Sequence, residues 1–346
     1  MNLNPRTRRI LFVATFLLFA VNSCLLAQSP PQTSQPPESA IQQIKKSVVF
    51  IVGKQVVDGV PNSTAGTGFL VFVPELRLGN NGGVIWLVTC DHVIRSPQPD
   101  GTPGPYYKSV SVRYNTRLPD PSGERQFDWL QVPVLDARGK VLWYRDPADP
   151  SSDIAMSPIK INPEIADIKW LPTSMLLSKD ELRDRAIDEN DEIVFTGLFD
   201  WDPGSRKNYP IVRHGKVALI PEERVPLARG LRPPTADVYL AEVTSFGGNS
   251  GAPVFVRLGG ARETLKAPVL TRYSYLLLGI MKGFFPEAAS EASGLKTPQG
   301  VITQNSGIAM VVPASKIQEI LKSPAVNAWT DALVRREMQK AAPNPH

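Results

Sequence analysis

Acyl transfer by a side chain needs a nucleophile, a base that titrates near neutrality, and donors aimed at the oxyanion of the tetrahedral intermediate. The base is the scarce component here. The chain has three histidines, His92, His214 and His346. His92 closes an apolar run in Leu87-Val88-Thr89-Cys90-Asp91-His92-Val93-Ile94, whereas His214 sits inside a strand-like segment, Val212-Arg213-His214-Gly215-Lys216. Either one alone is compatible with a structural role. The candidate nucleophile is Ser250, in Ser245-Phe246-Gly247-Gly248-Asn249-Ser250-Gly251-Ala252-Pro253-Val254-Phe255. Glycines around one serine permit a tight turn whose backbone N–H groups converge beside the hydroxyl. A plain hairpin turn would look similar. The nucleophile elbow of the α/β hydrolases is excluded, because Ala252 stands where that motif requires glycine and no helix-forming segment follows.

Such groups must be held by a scaffold, and the scaffold reads as β-rich. With 33 prolines and 25 glycines the 346 residues divide into many short segments, each rich in β-branched and aromatic residues. Ile41, Ile44 and Val48 are spaced for a short helix running into a strand at Val48–Val52. Further strands are expected near Thr67–Val73, Val84–Thr89, Val110–Tyr114, Trp129–Leu135 and Asp153–Met156. The second half offers Glu192–Thr196, Ile211–Leu219, Val238–Val243, Ala252–Val256, Tyr275–Lys282 and Ile308–Val312. About six strands in each half predict an all-β fold of two six-stranded antiparallel barrels, with short N- and C-terminal helices. Capping boxes at Ser178-x-x-Glu181 and Ser315-x-x-Gln318 predict short helices, and a last helical run spans Ala328 to Ala341. The expected division is residues 40–170 for the first barrel, 171–325 for the second and 326–346 for the helical tail. Trp129, Trp143 and Tyr144 read as barrel packing, His214 as a strand residue and Cys90 as a buried thiol.

Four successive segments, Thr67-Gly68-Phe69-Leu70-Val71, Leu87-Val88-Thr89-x-x-His92-Val93-Ile94, Asp153-Ile154-Ala155 and Gly248-Asn249-Ser250-Gly251-Ala252-Pro253, resemble the signatures of trypsin-like serine proteases. The form is closer to bacterial periplasmic Deg-type enzymes, and Gly279-Ile280-Met281 and Gly307–Pro313 are similar to that group's last two barrel strands. The likeness extends over roughly residues 41 to 325. It implies a chymotrypsin-like fold and a serine endopeptidase with Ser250 as nucleophile, His92 as base and Asp153 orienting the base. It also implies an oxyanion hole from the backbone N–H groups of Gly248 and Ser250, and substrate contacts from Thr244, Met281, Lys282 and Gly283. Asp146 and Asp149 compete with Asp153, but Ile154-Ala155 continues into an apolar strand as the family pattern requires. The uncharged Thr244 at the expected pocket floor implies cleavage after apolar or small residues, unless Glu287 or Glu291 turns inward. Asn249 replaces the aspartate that digestive relatives pair with a new N-terminal amine, so no processing beyond signal removal is expected.

Three departures stand out. The His92-to-Asp153 segment carries long Pro- and Gly-rich loops at Ser96–Pro105 and Leu118–Gly123. Lys282 stands where the family has a small or polar residue beside the buried aspartate. The peptide-binding domain that Deg-type enzymes often carry after the barrels is not expected here. A catalytically silent double-barrel binding module and an esterase-like hydrolase are the alternative functions.

The first 27 residues read as an export signal, with Arg6, Arg8 and Arg9 before the apolar run Ile10–Val21 and Ala27 as a small residue for cleavage. An uncleaved anchor, a lipidated Cys24 or a twin-arginine signal at Thr7-Arg8-Arg9 are variants of the same reading. A periplasmic or secreted location follows, with membrane attachment only through this segment. Residues 28–39 form a Pro-rich tether. Removing the leader takes three of 38 basic residues and none of 33 acidic ones, leaving a net charge of +2. No nucleic-acid partner is therefore expected, and the partners are polypeptide substrates. With two cysteines, one of them Cys24 beside the leader, neither an intrachain disulfide nor a metal or other cofactor is expected.

Overall fold

Alternating apolar residues build two antiparallel sheets from twelve principal strands in a computed structural model of the chain. It describes residues 38–341 except 58–59, 99–102, 150, 228–231, 263–268, 289–295, 298–299 and 302. The expected leader, most of the tether, Glu291, His346 and the Glu287 side chain lie outside the described residues. Among the described residues, no helix is long and apolar enough to cross a membrane.

The first lobe holds β1 (Val48–Val57), β2 (Val60–Pro74), β3 (Gly83–Thr89), β4 (Ser109–Asn115), β5 (Phe127–Pro133) and β6 (Ala155–Ile159). They lie in the order β5-β4-β1-β2-β3-β6. Helix α1 (Ala40–Lys46) leads into β1. The second lobe holds β7 (Glu192–Gly197), β8 (Ile211–Leu219), β9 (Tyr239–Glu242), β10 (Pro253–Arg262), β11 (Val269–Ala288) and β12 (Thr303–Pro313). These close into a barrel in the order β7-β8-β9-β12-β11-β10. The all-β, two-lobed arrangement is the chymotrypsin-like one that the resemblance implies.

The first lobe differs from the expected closed barrel. Its sheet curls but β5 and β6 do not pair along their length. Residues 141–144 span the gap instead, through a Leu135–Val141 bridge and reciprocal 2.8 Å bonds between Tyr144 and Met156. Leu171–Pro172, where the second barrel was expected to begin, pairs in parallel with β2 and so completes the first sheet. The crossing to the second lobe follows it.

Between the lobes, α2 (Lys179–Asp184) starts with the expected capping box: the Ser178 hydroxyl accepts from Glu181 N–H, and the Glu181 carboxylate accepts from Ser178 N–H. The second box does not form. Ala314 is already in helical conformation, so Ser315 is the first residue inside α3 (Ser315–Leu321) and cannot reach the orphan N–H groups. Trp129 also departs from expectation: it projects from edge strand β5, remains 43% exposed and packs edge-on to Phe127. Trp143 is buried as expected.

One apolar core runs from the first sheet into the lobe interface, joining Phe69, Leu87 and Met156 to Phe255, Ile280 and Val312. Ile317 and Ile320 of α3 and Val326 of α4 (Pro324–Ala341) belong to the same core. On α4, Trp329 meets Trp86 of β3 at 5.5 Å between ring centroids, and Asp331 pairs with Arg77 at 2.7 Å. The last two helices therefore dock on the first lobe although they follow the second.

Candidate active site

Neighbouring strands bring His92 and Asp153 together. In the β3–β6 pair Thr89 lies opposite Ala155, so the residues just after β3 and just before β6 emerge at one end of the sheet. A single 3₁₀ turn, Asp91–Ile94, carries His92. Strand β6 begins at Ala155, two residues later than the sequence suggests, which frees Asp153 to turn toward the histidine. Asp153 Oδ1 accepts from the His92 backbone N–H at 3.0 Å, and Oδ2 lies 2.6 Å from His92 Nδ1. The double contact fixes both the position and the ring orientation of His92. The Asp153 side chain is only 10% exposed, and Lys282 Nζ lies 3.1 Å from the same Oδ2. Burial pushes the Asp153 carboxyl up, but His92 and the Lys282 ammonium outweigh it and hold the group well below the usual carboxylate range.

The two competing aspartates are engaged elsewhere. Asp149 accepts both guanidinium nitrogens of Arg224, at 2.9 and 3.2 Å. Asp146 pairs with Lys316 of α3 at 2.9 Å. Both cations come from the second half of the chain, so two ion pairs grip the loop that delivers Asp153.

Ser250 sits on a turn fastened to the first lobe by one side chain, Thr67 of β2. Thr67 Oγ1 donates to the Gly248 carbonyl at 2.7 Å and accepts from Leu198 N–H at 2.8 Å. The Thr67 N–H donates to the Ser250 carbonyl at 2.8 Å, and Thr89 Oγ1 donates to the Thr67 carbonyl at 2.7 Å. Gly251 has φ +88°, and a Cβ there would stand 1.9 Å from the Thr67 carbonyl oxygen, so only glycine fits. The glycine pattern was legible in the sequence. The clamp by Thr67 was not, although this residue opens the first of the four family-like segments.

The amide of Asn249, 1% exposed, uses both ends: Nδ2 donates to the Leu198 carbonyl at 2.6 Å and Oδ1 accepts from Phe246 N–H at 2.9 Å. Within this turn Asn249 N–H donates to Phe246, Gly251 N–H to Met281 and Ala252 N–H to Asn249. Among the described residues, the N–H groups of Gly248 and Ser250 have no acceptor, and Gly248 is at φ +86°. Two donors are thus left beside the serine. Its hydroxyl donates to the Lys282 carbonyl at 3.2 Å and, among the described residues, not to His92.

The remaining sequence-derived residues divide. Thr244 is exposed, and its carbonyl accepts from Arg213 Nη1 at 3.2 Å; that guanidinium lies 4.4 Å from the Phe246 ring centroid. Gly283 is half-buried, with open space where a Cβ would stand. Met281 faces inward instead: its side chain is buried in the second barrel, and its carbonyl accepts from Gly251 N–H and from the buried Cys90 thiol. The Lys282 side chain is turned to Asp153 rather than outward. His214 is exposed on β8, paired across to Val194. A cleft of about 780 Å³ lies behind the Asp153 loop, bounded by Trp143, Arg145, Asp149, Ser152 and Pro324, and reaches neither His92 nor Ser250.

No family model matches the chain, and no curated protein sequence matches it. Solved structures do. The HtrA-type protease AlgW with decapeptide matches at TM-score 0.37 and 13% identity, over 82% of this chain and 66% of that one. The thermostable serine protease AL20 from an extremophilic microorganism matches at TM-score 0.39 and 10% identity, over 80% of this chain and 95% of that one. The chain spans about two thirds of the length of AlgW.

Proposed function

We propose that the chain is an exported serine endopeptidase that cleaves peptide bonds through an acyl-enzyme intermediate. The observation that carries this reading is the two-point contact of Asp153 with His92, placed at the sheet end to which Thr67 fastens the Ser250 turn. A binding module has no need of that arrangement.

In the reaction, Ser250 Oγ bonds to the substrate carbonyl carbon as its proton passes to His92 Nε2. The oxyanion is received by the free N–H groups of Gly248 and Ser250. Asp153 holds the Nδ1–H tautomer and faces the imidazolium. The C–N bond then breaks, with His92 returning the proton to the leaving amine. Water repeats the sequence on the acyl ester and releases Ser250. To begin, the serine hydroxyl turns from the Lys282 carbonyl to His92. Catalytic hydrogen bonds commonly tighten only once substrate is bound.

Titration with a fluorophosphonate probe, alongside cleavage of an unfolded protein, tests the proposal. Ser250→Ala is expected to lose labelling and about 10⁴-fold or more in kcat while unfolding at the wild-type denaturant concentration. His92→Ala is expected to cost about as much, and His214→Ala to change little. Cuts are expected after apolar or small residues, since Thr244 offers no carboxylate and Arg213 adds a cation nearby. Wild-type labelling without peptide cleavage would replace the endopeptidase with an esterase-like hydrolase. No labelling at all would leave the silent binding module.

A further inference from the structure

We infer that Lys282 is a positioning residue for this reaction: its ammonium shares Asp153 Oδ2 with His92, and its backbone carbonyl holds the Ser250 hydroxyl. The inference rests on the proposed function but concerns a charge balance that can be read without turnover.

The geometry restricts what Lys282 can do. Its Nζ is 3.1 Å from Asp153 Oδ2, the same oxygen that lies 2.6 Å from His92 Nδ1. The side chain is 18% exposed and ends against a carboxylate that is 10% exposed, so water screens the pair weakly. Cys90 and Asp91 lie beside the pair, and Tyr106, Arg95 and Arg145 gather on Asp91. Cys90 is fully buried and neutral, its thiol pushed up by burial and bonded to the Met281 carbonyl. Asp91 is raised by burial but answered by Arg95 at 2.7 Å and Arg145 at 4.0 Å. Tyr106 donates to Asp91 at 3.0 Å and is pushed up to about 12, chiefly by burial. The single Asp91 carboxylate thus faces two guanidiniums beside a neutral Tyr106 phenol. Among the described residues, Lys282 is the one cationic side chain other than His92 in contact with Asp153.

The consequence follows from charge. While His92 is neutral, Lys282 neutralises the buried carboxylate. When His92 takes a proton, two cations face one oxygen, so the imidazolium gains less than it would from an uncompensated aspartate. Lys282 therefore competes with a protonated His92 for the same carboxylate oxygen. It does so without touching substrate, because its own side chain is committed inward.

The experiment compares wild type, Lys282→Met and Lys282→Arg. Methionine keeps the stem and removes the charge; arginine keeps the charge. In Lys282→Met the acid limb of the kcat/KM profile is expected to move to higher pH by about one pH unit, and in Lys282→Arg by much less. The second readout is NMR of isotope-labelled imidazoles, which is tractable with three histidines in the chain. The His92 midpoint should rise in Lys282→Met in parallel with the kinetic limb. A purely structural lysine would lower the plateau and leave both midpoints in place, and that result in a folded variant overturns the inference. If the NMR midpoint moves in a chain with no hydrolase activity, the Lys282 coupling stands and the proposed function falls.

Discussion

Replacing Thr67 by valine separates hydrogen bonding from packing at the joint between the lobes. Thr67 is 0% exposed, and its hydroxyl is, among the described residues, the sole side-chain link to two buried backbone groups, the Gly248 carbonyl and the Leu198 N–H. Valine keeps the branched shape and leaves both groups unpaired. Each orphaned buried polar group costs about 1–3 kcal/mol, so Thr67→Val should lose about 3 kcal/mol after local relaxation. Thr67→Ser keeps the hydroxyl and deletes one methyl, at a cost of about 1 kcal/mol. The order is the informative part, because a packing role would make serine the worse substitution. Urea unfolding at a common m-value measures both. Fluorophosphonate labelling should also slow more in Thr67→Val, because the released Gly248 carbonyl belongs to the turn that presents the oxyanion donors. A valine variant as stable as wild type, or a serine variant below it, refutes the clamp.

The Asp149–Arg224 pair gives a pH-dependent test of the Asp153 loop. Burial raises the Asp149 carboxyl, but Arg224 and Ser151 hold it down to about 2. Its contribution to stability is therefore complete above about pH 4, the ordinary carboxylate value, and is lost as pH falls from there through about 2. Asp149→Asn should be less stable than wild type at pH 7 and should converge with it near pH 2, read from urea midpoints at several pH values. Asn249→Asp places an acceptor against the Leu198 carbonyl in a site that is 1% exposed, and should cost several kcal/mol. Because the neutral Asn249 needs no terminal amine, chains starting at Gln28 and at Ala40 should label to equal extents. Labelling confined to a shorter, trimmed form would contradict that reading.

What the sequence revealed depended on whether a feature is local. Strand positions were legible because alternation is imposed by the two faces of each sheet. The Ser178 capping box was legible because both partners lie within one helical turn. The glycines around Ser250 were visible because positive φ excludes other residues. The failures share a cause: each depends on a partner far along the chain. Thr67 reaches Gly248 across 181 residues. Lys282, by contrast, meets Asp153 across 129 residues, and its place beside the buried aspartate was visible only through the family resemblance. Asp146 and Asp149 looked like rivals of Asp153 until Lys316 and Arg224 accounted for them. Met281 carried a substrate-contact expectation by position in a family pattern, whereas its alternation on β11 turns it into the barrel.

The return of α3 and α4 to the first lobe has a temporal consequence for the growing chain. Synthesis runs from the N-terminus, so β1 to β6 emerge well before Ile317, Ile320 and Trp329. Until then Trp86 and the neighbouring core positions lack their covering helices, and the loop before Asp153 lacks its Lys316 anchor. Contacts spanning some 240 residues thus act as a delay, coupling completion of the first lobe to delivery of nearly the whole chain. A nascent chain stalled before α3 would present a first lobe without its covering helices and a loop before Asp153 without its Lys316 partner.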